Sequence, residues 1–273
     1  MLKNSRFPSI ALGALLAVAW IPAHAQGIKD VLPPDVRVQR NSGDSLQPVF
    51  DGWQRNPDGT ISMWFGYYNR NSQEELDVPV GLNNSFDVGG ADRGQPTHFY
   101  TKRRQYVFKV DLPKDWDPGR KLTWKVTSNG ETCTAIGWMQ PEWETNDGVR
   151  QMNAGAGLAP PADPPNTAPK ITGGSPDQTV PAATPLKLTV SATDDGIPKP
   201  RAGRGGVGVK WILYRGPGAV SFEPAETPPV YGKPVESATQ VTFSAPGSYW
   251  LEAIVSDGLL EAVHNVKVTV TSK

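Results

Sequence analysis

The second half of the chain alternates apolar and polar side chains almost without interruption. Leu186, Leu188, Val190 and Ala192 interleave with Lys187, Thr189, Ser191 and Thr193. Val207, Val209, Trp211 and Leu213 form a second such series, and Tyr249, Leu251, Ala253 and Val255 a third. A period of two places one set of side chains on a buried face, which predicts strands rather than helices. Shorter runs at Gln178–Val180, Val220–Phe222 and Thr239–Phe243, with a last run at Val263–Val270, bring the expected total to seven. Seven antiparallel strands separated by Gly/Pro turns predict a sandwich of two sheets.

The first half carries the same period with more aromatic residues. Phe50–Trp53, a turn at Asn56–Gly59 and Thr60–Asn69 predict a hairpin. Its second arm has aromatic residues on both faces, as a central strand covered on both sides would. Val78 and Val80 around Pro79 predict an edge strand, and Tyr106–Val110 and Leu122–Val126 two more. Asn129-Gly130 predicts a tight turn into Glu131–Ile136, because both residues tolerate positive φ. Between Val80 and Tyr106 runs a long polar connection, a length typical of binding loops and packed Ω-loops. No window of either half keeps an apolar stripe at helical spacing. The expected class is all-β, with two β-sandwich domains.

Four segments are similar to known sequences. Asn166–Pro169 (NTAP), Pro176–Val180 (PDQTV), Thr193–Pro198 (TDDGIP) and Phe243–Gly258 (FSAPGSYWLEAIVSDG) resemble bacterial extracellular immunoglobulin-like repeats of the PKD and cadherin-like kind. The likeness spans about Asn166 to Val270. It implies a seven-stranded Ig-like sandwich, a fold that serves adhesion, spacing and accessory roles alike. Trp211 would then fill the core, and Tyr249 would place its hydroxyl on loop backbone as a tyrosine corner. The segments from Phe65 to Phe86 and from Asp92 to Phe99 resemble uncharacterised exported bacterial proteins.

Domain boundaries follow from composition. Lys3 and Arg6 precede an apolar run, Ile10–Ile21, then Pro22 and Ala23-His24-Ala25. This is the layout of a secretory signal peptide over residues 1–25, too short in its apolar part to span a bilayer. Residues 26–40 form a lead whose Val36 and Val38 either pair within their own domain or lend a donor strand to a neighbouring subunit. Residues 41–153 are the first, aromatic-rich domain; 154–169, rich in Pro and Ala, is a semi-rigid linker; and 170–273 is the second domain. The expected location is the periplasm, the cell surface or the medium, and no later segment is long and apolar enough to span a membrane.

Charge and chemistry narrow the function. The 273 residues carry 27 basic and 27 acidic side chains, which argues against nucleic acid as a partner. The three basic residues Lys102-Arg103-Arg104 read as a solvated approach to the next strand. A single cysteine, Cys133, precludes an internal disulfide and reads as a small buried strand residue. No nucleophile elbow, zinc-protease helix, phosphate loop or dinucleotide fingerprint occurs. His98 and His264 fall in different domains, and paired acids such as Glu142 and Glu144, or Asp87 and Asp92, name no acid–base couple by themselves.

Two binding readings remain. A sugar platform would use Trp64, Tyr68, Trp116, Trp138 and Trp143, with Asn83, Asn84, Asp92 and Arg93 from the long connection; core packing is the competing role for the rings. Asp194 and Asp195 end one predicted strand and Asp257 another, at one pole of the second sandwich. Three carboxylates there would suit a structural Ca²⁺, whereas the Asp-Gly turns need the same oxygens for backbone N–H groups. The leading expectation is an exported, non-catalytic structural or interaction protein without a required cofactor, an appendage subunit being one variant. Carbohydrate binding is the alternative.

Overall fold

The computed structural model describes residues 40–156, 164–199 and 205–272. The expected signal segment 1–25, nearly all of the expected lead and the centre of the expected linker lie outside the described residues. Everything described belongs to one compact unit.

The first half is built from eight strands: β1 (Leu46–Arg55), β2 (Ile61–Asn69), β3 (Leu76–Asp77), β4 (Asn84–Phe86), β5 (His98–Phe99), β6 (Lys102–Leu112), β7 (Leu122–Ser128) and β8 (Glu131–Gly137). Sheets β1-β2-β6 and β4-β7-β8 enclose one core, and β3 and β5 pair as a short ladder. Phe65, Phe86, Phe99, Phe108 and Trp124 meet at its centre, Phe65 edge-on to Trp124 at 6.2 Å. As its aromatic faces predict, β2 lies centrally between β1 and β6. The β7–β8 turn is the expected one, with φ of 48° at Asn129 and 78° at Gly130. The expected edge strand is displaced to Leu76–Asp77: the Val78 N–H still donates to the Thr97 carbonyl, and Pro79 has no N–H with which to continue the ladder.

Where β1, β2 and β6 meet, both registers slip. The slip admits a partly buried ion pair between Asp51 and Arg103, and Asp51 Oδ2 also accepts the Tyr106 N–H at 2.8 Å. Arg103 is therefore not a solvated approach to a strand. Burial pushes the Asp51 carboxyl up to about 6, against the pull of Arg103 and the Tyr106 N–H. Gly66 leaves the room for this pair: a Cβ there would collide with the Arg104 carbonyl and the Asp51 carboxylate. Gly66→Ala should cost about 2–3 kcal/mol, read from urea midpoints, since backbone and a buried ion pair must both move.

The second half is an immunoglobulin-like sandwich of nine described strands: β9 (Lys170–Gly174), β10 (Gln178–Pro181), β11 (Leu186–Thr193), β12 (Val207–Arg215), β13 (Val220–Glu223), β14 (Glu226–Val230), β15 (Val235–Phe243), β16 (Gly247–Ser256) and β17 (Glu261–Thr271). They form the sheets β10-β17-β16-β12-β14 and β13-β15-β11-β9. All seven predicted strands are present, but β10, expected to be antiparallel, pairs in parallel with β17. The two additions, β9 and β14, are edge strands whose Gly- and Pro-rich sequences, KITGG and ETPPV, bury little and so lack alternation. Trp211 is central, its indole N–H donating to Ser237 Oγ at 3.0 Å. Tyr249 closes the tyrosine corner, its hydroxyl donating to the Ala245 carbonyl at 2.7 Å. Cys133 is buried, as expected.

Among the described residues, helix is confined to short turns. A 3-10 turn at Pro141–Trp143 is followed by α1 (Asp147–Gln151), capped by the Asn146 side chain accepting the Val149 N–H at 3.0 Å.

Candidate functional site

The long connection between Val80 and Tyr106 is the element that sequence reasoning flagged for binding, and it does bind. Its ligand is the other half of the same chain. At the end of β12 the register with β16 slips between Leu213 and Arg215, and the bulge presents Tyr214 outward. Tyr214 is only 3% exposed and belongs to the core of the first half rather than the second. Its hydroxyl donates to the Gly94 carbonyl, 2.5 Å away, and its ring lies 4.9 Å from that of Trp250. Arg215 makes a two-pronged ion pair with Asp92, at 2.9 and 2.8 Å, and its Nε donates to the Gln95 carbonyl. The Thr97 N–H donates to the Tyr214 carbonyl, and the Leu213 N–H to the Tyr100 hydroxyl at 2.9 Å. A planar guanidinium held by two oxygens fixes angle as well as distance, so this seam is directional. The Arg215 pairing draws the Asp92 carboxyl below its usual range.

The seam's own support is buried polar scaffolding. Asn84 is fully buried: its amide donates to the carbonyls of Val78 and Pro96, and its Oδ1 accepts the Trp124 indole N–H at 2.9 Å. Gln95, also fully buried, donates to the Asn84 and Ala91 carbonyls. Arg93 ties the same loop through the Val88 carbonyl at 2.8 Å.

These bonds redistribute the predicted sugar residues. Asn84 has no atom left for a sugar, and Asp92 is committed to Arg215. Trp64 lies under the Arg150 guanidinium, 4.8 Å from its ring, and donates to Gln54. Arg120 covers Trp116 at 4.5 Å, and Lys121 approaches Trp138 at 5.4 Å. Asn83 is exposed at the turn before β4. Of the candidate rings, Trp143 and Tyr68 keep the most surface, 43% and 36%, and Trp143 packs against Phe50 at 5.7 Å. A depression of about 320 Å³ lies beside α1, lined by Gln54, Arg55, Glu144, Thr145, Asn146, Asp147 and Arg150. None of the nine candidates lines it.

The aspartates of the second sandwich do gather at one pole, where they serve the backbone. Asp195 Oδ2 accepts from the Thr167 N–H and hydroxyl, at 2.8 and 2.7 Å, while Oδ1 accepts the Ile197 N–H. Asp257 Oδ1 accepts the N–H groups of Leu259 and Leu260, and Oδ2 accepts the Asn166 amide at 3.1 Å. Asp194 accepts the Gly196 N–H. Asn166 and Thr167, assigned to the linker by composition, are thus fastened to the sandwich. Among the described residues, no group of three or more His, Cys, Asp or Glu side chains is arranged to hold a metal ion. Turn formation, the competing role of these carboxylates, is the one the geometry displays.

Sequence reasoning missed the seam itself. Its signal was present as the outward aromatics Tyr214 and Trp250 on adjacent strands, since large rings on the nominally wet face of a sheet imply a cover.

No family model matches the chain, and no curated protein sequence does. Solved structures with similar folds include the tandem Ig repeats of Dlar, 12% identical, covering 84% of this chain and 98% of that one with a TM-score of 0.30. The D00-D0 domain of Intimin is 10% identical, covering 83% and 100%, with a TM-score of 0.28. A protein of unknown function from Porphyromonas gingivalis W83 is 10% identical, covering 83% and 99%, at 0.27. The class is therefore defined by this chain's own strand pairing: an all-β protein of two sandwiches, the second immunoglobulin-like.

Proposed function

We propose that the chain is an exported, non-catalytic structural or interaction protein of the periplasm or cell surface, whose two sandwiches are presented as one body. The observation that carries this reading is the seam: the loop best suited to grip a ligand is committed to holding β12. A directional joint suits a module that sets spacing or orientation better than one that closes on a small substrate. The signal-peptide pattern supports export, and the PKD-like and cadherin-like segments support an extracellular repeat. The domain limits 41–153 and 170–273, with 154–169 between them, belong to the same proposal.

Fractionation of the source cells tests it. The chain should leave the cytoplasm with Gln26 as its new N-terminus and should enter higher-mass species on envelope cross-linking. Retention in the cytoplasm, or turnover of a glycoside or peptide substrate by the purified protein, would overturn it. An appendage subunit would assemble at high concentration, and a strict monomer by light scattering removes that variant. The reading requires no cofactor, so EDTA should leave the melting midpoint unchanged.

Carbohydrate binding through the first sandwich is the second reading, favoured by the exposed faces of Trp143 and Tyr68. A glycan array probed with the mature protein decides it: absence of binding at millimolar sugar dismisses the idea.

A further inference from the structure

An imidazole held on two sides by carboxylates sits within the segment that docks the two halves. His98 Nδ1 lies 2.8 Å from Asp77 Oδ1, and Nε2 lies 3.1 Å from Glu75 Oε2. An ionised carboxylate only accepts, so each contact needs an N–H, and only the imidazolium has two. The side chain is 12% exposed, and its ring meets Tyr100 edge-on at 4.6 Å. Residues on both sides of His98 cross the seam: Thr97 bonds the Tyr214 carbonyl, and the Tyr100 hydroxyl accepts the Leu213 N–H. The ladder that carries His98 is short: Leu76 pairs with Phe99 and Asp77 with His98, the Val78 N–H donates to the Thr97 carbonyl, and Leu76 and Phe99 are buried while His98 and Asp77 lie on its outer side.

We propose that His98 is a proton-operated latch on the seam. Its imidazolium ties Glu75 and Asp77 to β5 and holds β5 against β12, and loss of the proton slackens the contact. A neutral ring keeps one N–H and turns a lone pair towards the other carboxylate, converting an attraction into a repulsion.

The surrounding charges favour the same sense. Burial of the ring opposes its charge, but the bonds and charges of Asp77 and Glu75 outweigh that and hold the pKa above the ordinary 6.5. From the continuation of β5, Tyr100 adds no charge at neutral pH, since burial pushes its phenol up to about 12. Arg104 lies 5.6 Å from the Tyr100 ring. Across the seam, the Arg215 charge is taken up by Asp92. Glu252 of β16 is pushed up to about 8 by burial and by Glu261, against Arg215. A group whose folded pKa is raised contributes fully below its unfolded value and loses that contribution as pH rises through the folded one. The latch is therefore closed in mild acid and opens towards alkaline pH.

Amide hydrogen exchange on the mature protein, corrected for intrinsic rates, tests this at pH 6 and pH 9. Protection of the Leu213 and Thr97 amides should fall several-fold at the higher pH, while core amides of β16 and β17 keep theirs. His98→Gln should show low protection at both pH values. Glu75→Gln alters a half-exposed side chain outside the core, and should lower the midpoint of the His98 ring signals by NMR, with the pH of loosening moving down alongside. Equal protection at the two pH values in the wild type, or a ring midpoint below 6.5, would overturn the latch. Wild-type pH dependence surviving in His98→Gln would overturn it as well and transfer the effect to Glu252.

Discussion

Replacing Tyr214 with alanine should lower stability by about 3–5 kcal/mol and split one calorimetric transition into two. The size follows from the cavity left by a large buried ring. The splitting follows from where that ring is buried. Tyr214 is carried by β12 of the second sandwich, yet its side chain belongs to the core of the first. While it is seated, neither half can unfold without exposing apolar surface of the other, so they melt together. Tyr214→Phe keeps the ring and loses only the hydroxyl's bond to the Gly94 carbonyl, so a loss of about 1 kcal/mol with one transition is expected. A single unsplit transition in Tyr214→Ala, shifted by less than 1 kcal/mol, would show that the halves are coupled elsewhere.

The second large effect is expected at Asn84. Alanine there strands the Val78 and Pro96 carbonyls and the Trp124 indole N–H in a water-excluded site. Each orphaned group costs about 1–3 kcal/mol, so at least about 3 kcal/mol should be lost in urea titration. Asn84→Asp separates this account from a simple volume effect. Its carboxylate can still accept from Trp124, but it turns a charged oxygen towards two carbonyls. The introduced group's folded pKa would be raised, so the added cost is absent below an unfolded pKa of about 3.9 and grows as pH rises through the folded value. Wild-type stability in Asn84→Ala, with loss of binding on a glycan array, would return Asn84 to a sugar site.

Both residues illustrate what a one-dimensional reading sees. Asn84 belongs to a polar stretch, Asn83-Asn84-Ser85, whose composition suggests a wet loop. Asn83 is indeed exposed, while its neighbour is buried and bonded through both amide hydrogens and its oxygen. Nothing in residue type distinguishes them, because burial of a polar side chain depends on partners supplied from Val78, Pro96 and Trp124. Tyr214 likewise follows Leu213 on the face that alternation assigns to solvent. His98 stands in Pro-Thr-His-Phe, and the two carboxylates that charge it come from the other side of a β-ladder. The strands themselves were far more legible. β11, β12, β16 and β17 bury alternate residues because a pleated chain has no other way to cover one face. The tyrosine corner and the Asn129-Gly130 turn were readable for a similar reason: each depends on residues adjacent in the chain.

The sequence by itself determined the all-β class, the positions of the long strands and the turns between neighbours, since these follow from local backbone preference and period-two burial. Tertiary structure alone decided that the long connection grips β12, that Asp92 answers Arg215, and that the pole aspartates close turns. Those outcomes require groups distant in sequence to meet at fixed angles, and hydrogen bonding leaves no periodic trace of its partners along a chain.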